Sequence, residues 1–147
     1  MWKLKPSERL ARWRDFREKL NSLPLDRALE QVQTFWAKAP FTPYYLDIEK
    51  PETWPDPWTL IYENYYCDVA KALGMLYTIA FTDHKPTIEL CVYYDPKTRY
   101  NYNLVLINQG KYVLNMNEDE IVNIESIENN FKLKFKYSSA DLKLDSY

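Results

Sequence analysis

The sequence is poor in the residues on which several common functional sites depend. Its 147 residues include two glycines, two cysteines and one histidine. A P-loop and a dinucleotide fingerprint each need several glycines, so both are excluded. Two cysteines are too few for a disulfide scaffold, and with a single histidine they do not make the usual paired zinc ligands. We therefore expect no metal and no cofactor.

Long apolar runs are also absent. No stretch approaches the ~20 residues that a membrane-spanning helix needs, and the first residues lack the apolar stretch of a secretory signal. We expect an intracellular, cytoplasmic protein without membrane contact. The net charge of −2 argues against generic nucleic-acid binding. The charge is uneven, because residues 1–40 carry nine basic and five acidic side chains, whereas the rest carry ten and sixteen.

The composition indicates a globular chain, since 46% of the residues are hydrophobic and 16% are aromatic. A chain of this length builds one domain with a sizeable core. We predict four regions within that domain. They are a helical hairpin (1–40), a connector rich in proline and aromatic residues (41–57), an α+β core (58–137) and a polar, frayed tail (138–147).

Apolar residues recur every three or four positions in the N-terminal region and predict two helices separated at Pro24. Basic residues surround the apolar stripe of the first helix. They form either a solvated face or a docking surface for an acidic protein partner. Trp2 lies outside the helical period and favours docking, because aromatic residues beside basic ones are common interface anchors. The predicted partner-binding residues are Trp2, Arg9, Arg12 and Arg17.

In the core, helical periodicity precedes strand periodicity. Asp56 followed by Pro57 is a typical helix start, and a further helix is predicted from Cys67. From Thr87 the period changes to two residues. Lysines alternate along the last strand, as on an exposed sheet edge. Helices before antiparallel strands define the class α+β, with a sheet of about five strands. The strands are predicted at 88–94, 101–107, 111–116, 121–127 and 131–137.

Cys67 is the first candidate for chemistry. A thiol at a helix start faces unpaired backbone N–H groups and the positive end of the helix dipole, which favour the thiolate. The alternative is a buried small hydrophobe, the usual fate of a free cysteine.

Three short motifs give the chain a family resemblance. They are Cys67-Asp68-Val69-Ala70 at a helix start, Tyr102-Asn103 in a strand, and Gly110-Lys111-Tyr112 in the following hairpin. Together they resemble the transglutaminase-like branch of the papain-type cysteine enzymes, over roughly residues 54–117. The resemblance implies a central helix that begins at a nucleophilic cysteine and packs on an antiparallel sheet.

The departures from that family concern the catalytic triad. The resemblance places the family's histidine at Tyr100 and its aspartate at Asn115. A phenol with a pKa of about 10 is protonated at neutral pH and does not take a proton from a thiol. The only histidine, His84, follows the far end of the central helix and is expected to be a surface loop residue. Cys67, Tyr100 and Asn115 thus form a degenerate triad.

Two further features leave alternatives open. The adjacent acidic residues Glu118, Asp119 and Glu120 are either a solvated cap or a weak calcium site, although their spacing is unlike that of an EF-hand loop. The thirteen tyrosines either pack in the core or form a stacking surface for nucleic acid or sugar.

The sequence supports one main functional hypothesis and one alternative. The main hypothesis is a non-catalytic protein-interaction or assembly module on a degenerate transglutaminase-like scaffold. Few glycines and many tyrosines and asparagines also resemble small proteins of tailed phages, which would make it a virion or assembly component. The alternative is an active thiol-dependent amide hydrolase or acyl transferase that uses Cys67.

Overall fold

Helices occupy the first half of the chain and strands the second, which confirms the predicted α+β class. The computed structural model describes all residues from Met1 to Tyr147. The α-helices are α1 (Pro6–Leu20), α2 (Leu25–Ala37), α3 (Pro57–Glu63), α4 (Asp68–Ala80) and α5 (Glu125–Glu128), and the strands are β1 (Ile88–Tyr94), β2 (Asn101–Ile107), β3 (Tyr112–Leu114) and β4 (Lys132–Ser138). Short 3-10 helices lie at Pro51–Thr53 and Leu144–Ser146.

Helix α4 is the centre of the molecule. From Val69 to Ile79 every side chain except Lys71 is buried, and the helix contacts α2, α3, β1 and β2. A helix that is apolar on all sides is stable only where it is covered on all sides. Helix α3 begins as predicted, because the Asp56 carboxylate accepts a hydrogen bond of 2.7 Å from the backbone N–H of Thr59.

One hydroxyl group connects the N-terminal hairpin to α4. The indole N–H groups of Trp13 on α1 and Trp36 on α2 both donate to Thr78 Oγ1, each over 2.9 Å. Thr78 donates in turn to the carbonyl of Gly74 over 2.7 Å. The hydroxyl therefore uses its one donor and both acceptor positions in a site without exposed surface. Gly74 leaves room for this arrangement, since a Cβ there would lie 2.6 Å from the Trp36 ring.

The four strands form one antiparallel sheet in the order β3-β2-β1-β4. Alternate side chains of β2 enter different clusters: Val105 and Ile107 pack with α4, whereas Leu104 and Leu106 face the opposite side. The lysine-bearing strand β4 lies at an edge of the sheet, as its alternation predicts.

The predicted strand at 121–127 is wrong, because this segment does not form a strand. Only Val122 bridges to β3, at Val113, and the chain then turns into α5. The alternation of apolar residues does not produce a strand here, because Ile127 packs from α5 into the cluster that contains Leu104 and Leu106. Strand β4 consequently pairs with β1 instead of forming a hairpin with its sequence neighbour.

The C-terminal segment is also more ordered than its polarity predicts. Leu142 is buried in the main core. The ring of Tyr147 lies 5.8 Å from that of Trp58 and 5.9 Å from that of Tyr77, both in edge-to-face geometry. The tail is held because three of its side chains, Leu142, Leu144 and Tyr147, find apolar partners. None of the helices has the length and apolarity to span a bilayer.

The Thr78 hydroxyl that both indoles share leads to a prediction about stability. Thr78→Val retains the shape of the side chain but leaves two buried indole N–H groups without an acceptor, which should lower the free energy of unfolding by about 3 kcal/mol. Thr78→Ser keeps the hydroxyl and removes one methyl group, so we expect a loss of about 1 kcal/mol. Urea unfolding measures both. Equal losses for the two variants would contradict the shared-acceptor role.

Candidate functional site

Cys67 lies where the sequence predicts it, at the residue that precedes the first turn of α4. Its side chain is buried, with 5% of the residue surface exposed. The backbone N–H of Leu46, in the connector, donates to the sulfur over 3.4 Å. The connector therefore covers the thiol, which belongs to the main hydrophobic cluster.

Two adjoining cavities lie beside the start of α4. The first has a volume of about 300 Å³ and is lined by Asp68, Tyr100, Asn103 and Asn115, among others. The second, of about 480 Å³, lies under the connector between Tyr44 and Val92. Asn101 and Asn103 line both cavities. The structure thus brings Tyr100 and Asn115 together beside the helix that begins at Cys67.

Asn103 is the buried polar residue on the face of β2 that packs against α4. It pairs with Val92 of β1 and has the same parity as Val105 and Ile107, which pack against that helix. The residue is 8% exposed, and its side-chain amide makes no hydrogen bond within the protein. Sequence reasoning matched Asn103 to a family motif but did not give it a role. The two-residue period of β2 was the signal that could have placed Asn103 on the same face as Val105 and Ile107.

Asn115 is fixed by its own hydrogen bonds. Its backbone N–H donates to Gln33 Oε1 over 2.8 Å, and its side-chain Nδ2 donates to the Asn103 carbonyl over 2.9 Å. Its backbone has a φ of 71°, in the left-handed region that asparagine tolerates better than most residues. Asn115 therefore ties the end of β3 to β2 and to helix α2.

Tyr100 lies at the rim of the first cavity. The residue is 67% exposed and immediately precedes β2. Because side chains alternate along a strand, Tyr100 lies on the same face as Tyr102 and Leu104, which point away from α4. Its assignment to the family's histidine position stays a prediction, and the side chain that points to α4 is that of Asn103.

The only histidine lies far from the thiol. His84 Nε2 lies 2.9 Å from the carbonyl oxygen of Leu20, beyond the carboxyl end of a 13-residue helix that begins next to Cys67. A helix of that length spans about 20 Å. The Tyr45 hydroxyl donates to Glu63 Oε2. Burial, reinforced by that carboxylate, raises the pKa of Tyr45 well above its ordinary value, so the phenol stays protonated.

Two of the predicted partner-binding residues are used inside the fold. Arg9 is buried, and its guanidinium donates to the carbonyls of Ile61 over 3.1 Å, Tyr62 over 2.7 Å and Leu4. These bonds fasten α1 to the end of α3. Arg9 is therefore unavailable to an acidic partner, which corrects its interpretation as a docking residue.

Trp2 also packs internally, because its ring lies 5.0 Å from that of Trp36 and 5.1 Å from those of Phe35 and Tyr66. The Arg17 guanidinium is 4.2 Å from the centroid of Trp13. Burial lowers the pKa of the Arg17 guanidinium. Arg12 remains exposed. An acidic partner on this helix stays a prediction that rests on Arg12 and its exposed neighbours.

The structure also describes the possible metal site, the acidic loop and the tyrosines. Side chains of His, Cys, Asp and Glu nowhere gather in a group of three or more that could hold a metal ion. In the acidic loop, Asn117 Oδ1 accepts from the backbone N–H groups of Asp119 and Glu120. The tyrosines serve both purposes: Tyr66, Tyr77 and Tyr93 are buried, whereas Tyr44, Tyr62, Tyr65 and Tyr100 are exposed.

Comparison with solved structures identifies the fold. The calcium-bound form of Legionella pneumophila LapG has a TM-score of 0.73 and 12% sequence identity, covering 93% of this chain and 78% of LapG. A second LapG structure has a TM-score of 0.67 and 12% identity, covering 91% of this chain and 76% of LapG. The EGTA-treated form has a TM-score of 0.68 and 12% identity, covering 91% and 74%.

The likeness to LapG, at 12% identity, shows that the two chains share a fold. No protein-family model matches the sequence, and no curated protein matches it. The structural neighbours give no support to the resemblance to phage proteins.

The internal role of Arg9 can be separated from a surface role. Arg9→Gln leaves three backbone carbonyls without their charged donor, so we expect the free energy of unfolding to fall by about 3 kcal/mol. Arg12→Gln, one turn further along the same helix and exposed, should change it by less than about 0.5 kcal/mol. Urea unfolding compares the two variants. Similar small losses would show that the Arg9 bonds contribute little.

Proposed function

We propose that this chain is a non-catalytic protein-binding module on a transglutaminase-like scaffold. The observation that carries the proposal is the position of the only histidine, His84, far from Cys67. The polar side chain that faces α4 from β2 is the amide of Asn103, and His84 is bonded to Leu20 beyond the other end of the helix. An amide neither accepts a proton from a thiol nor becomes charged at neutral pH.

The chemistry of cysteine catalysis supports this conclusion. A thiol without an adjacent base or another activating group is only a few per cent thiolate at pH 7, and acyl transfer also needs an acid to protonate the leaving amine. Asn115 could orient an imidazole, but its amide is bonded to the carbonyl of Asn103. On this proposal, Asn103 and Asn115 do not take over either of the two proton-transfer roles.

The binding role is supported by aromatic side chains that the fold leaves in solvent beside the cleft. Tyr44 is 99% exposed, Phe41 59% and Tyr65 51%. Tyr44 also has a φ of 59°, a left-handed conformation that costs a residue other than glycine about 1–3 kcal/mol. Strained backbone residues cluster at functional sites, and aromatic residues are enriched at protein interfaces. A subunit of a larger assembly would use the same face.

The position of Cys67 at the start of the central helix favours the alternative, a thiol-dependent amide hydrolase or acyl transferase. That activity requires a base that approaches the sulfur after the connector moves away from it. A turnover experiment decides between the two functions.

We predict no turnover above background when the protein is incubated with a mixture of blocked peptides that carry glutamine, alanine and lysine. Mass spectrometry detects both hydrolysis and amide exchange. The Cys67→Ala variant is the matched control, because it removes the sulfur from the same scaffold. Product formed by the wild-type protein and not by Cys67→Ala would establish the enzyme and overturn the proposal.

The binding half of the proposal is tested with the same variant. A partner cross-linked to the wild-type protein should also be recovered with Cys67→Ala, and it should be lost with Tyr44→Ser. Tyr62→Ser, which changes an exposed tyrosine on α3, serves as the surface control. Recovery that depends on Cys67 and not on Tyr44 would contradict a non-catalytic contact surface.

A further inference from the structure

A groove between α1 and α3 is basic, and it shares no lining residue with the two cavities beside α4. Arg14 and Arg17 both line this groove, together with the rings of Trp13 and Trp58, and no acidic residue does. Neither arginine takes part in an ion pair, since both ion pairs of the protein lie elsewhere. The groove therefore holds two positive charges without an acid among the residues that line it.

Arg17 supplies a second and independent feature of the same groove. Its Nε is shielded from solvent and has no hydrogen-bond partner in the protein. The guanidinium carbon lies 4.2 Å from the centroid of the Trp13 ring and 5.4 Å from that of Phe81. Arg9 on the same helix provides the contrast, because its guanidinium donates to three backbone carbonyls. Buried donors are nearly always bonded, so the unpaired Nε indicates a group whose acceptors come from outside the protein.

Repulsion between the two arginines is a third feature of the groove. Arg14 and Arg17 are three residues apart on α1, so they are neighbours on the helix surface, where like charges destabilise the helix. Burial lowers the pKa of Arg17 and the charge of Arg14 lowers it further, whereas Glu18 raises it. Glu18 does not line the groove. An anion bound in the groove would relieve the repulsion from both arginines.

We propose that this groove binds the carboxylate of an aspartate or glutamate in an acidic segment of a protein partner. The inference rests on the proposed binding function and gives the partner its chemistry. Both guanidinium groups would donate to the carboxylate, which would supply Arg17 with the acceptor that the protein does not provide. Trp58 is 46% exposed and offers apolar surface to the methylene groups of the same side chain.

The size and the composition of the groove agree with such an occupant. Its volume of about 290 Å³ is close to the lower end of the range of about 300–1,000 Å³ for ligand pockets. The groove therefore suits one side chain better than a long polymer. Tryptophan and arginine are enriched among the residues that dominate binding energy at protein interfaces. The net charge of −2 disfavours a nucleic acid, because its phosphates would meet more acidic than basic side chains over the rest of the surface.

The test is a titration followed by NMR of the arginine Nε–H signals. The probes are acetyl-Ala-Glu-Glu-Ala-amide and its aspartate analogue, with the glutamine and lysine analogues as controls. We expect the two acidic peptides to shift the Nε–H signal of Arg17, whose Nε is shielded from solvent. The two control peptides should leave that signal unchanged. Binding should weaken as salt is raised, because Arg14 is exposed.

Charge-changing variants of an exposed residue locate the site. Arg14→Gln should weaken binding of the glutamate peptide about fivefold, and Arg14→Glu should abolish it. Arg12→Gln is the matched control, because Arg12 is also exposed on α1 but does not line the groove. A helix has about 3.6 residues per turn, so two residues separate these side chains to opposite sides of it. The control should bind with unchanged affinity, and thermal unfolding checks that each variant is folded.

Three outcomes would overturn the inference: no shift with the acidic peptides, equal binding of the glutamine peptide, or unchanged affinity in both Arg14 variants. Tighter binding of oligothymidylate than of the acidic peptides would also overturn it and would assign the groove to nucleic acid. The peptide recovered after the titration is analysed by mass spectrometry. Cleaved peptide would overturn the non-catalytic function while leaving carboxylate recognition intact, so the two failures are distinguishable.

Discussion

Two indole N–H groups share one threonine hydroxyl at the centre of this fold. Trp13 and Trp36 reach Thr78 from different helices, so their bonds fix α1 and α2 against the carboxyl-terminal half of α4. The amino end of α4 is then held between the N-terminal hairpin and the sheet, and Cys67 lies at that end. The position of the thiol is thus a consequence of packing further along the same helix.

Polar and aromatic groups surround the start of α4. The strand position that faces the helix carries an amide, the Cys67 sulfur lies under the connector, and the rim of the cleft carries exposed tyrosines. Amides and protonated phenols form directional hydrogen bonds but do not take a proton from a thiol.

Much of the fold follows from local sequence patterns. The Asp56-Pro57 helix start, the helix that begins after Cys67 and the paired strands β1 and β2 each carry a local signal, and each lies where that signal predicts. The segment 121–127 also alternates, but a side chain of α5 supplies the apolar contact that a strand would have made. Alternation alone does not distinguish these two solutions.

The candidate site was harder to predict because its key features are long-range. Arg9 looks like any other base on a polar helix face, and only the carbonyls of Ile61 and Tyr62, more than fifty residues away, make it internal. Asn103 became visible as a cleft residue only when the register of β2 showed which face packs on α4. The family motif identified the strand. The spacing of the motif, however, assigned the histidine position to Tyr100, which lies on the face of the strand opposite to that of Asn103.

The central claim is that Cys67 is a covered thiol with no base to activate it. The most direct measurement is its rate of alkylation by iodoacetamide in a Cys91→Ala background, followed across a urea series at neutral pH. We predict slow labelling of the native protein that accelerates only as the protein unfolds. Rapid labelling of the folded protein, without any dependence on urea, would show an exposed and activated thiolate and would contradict the account.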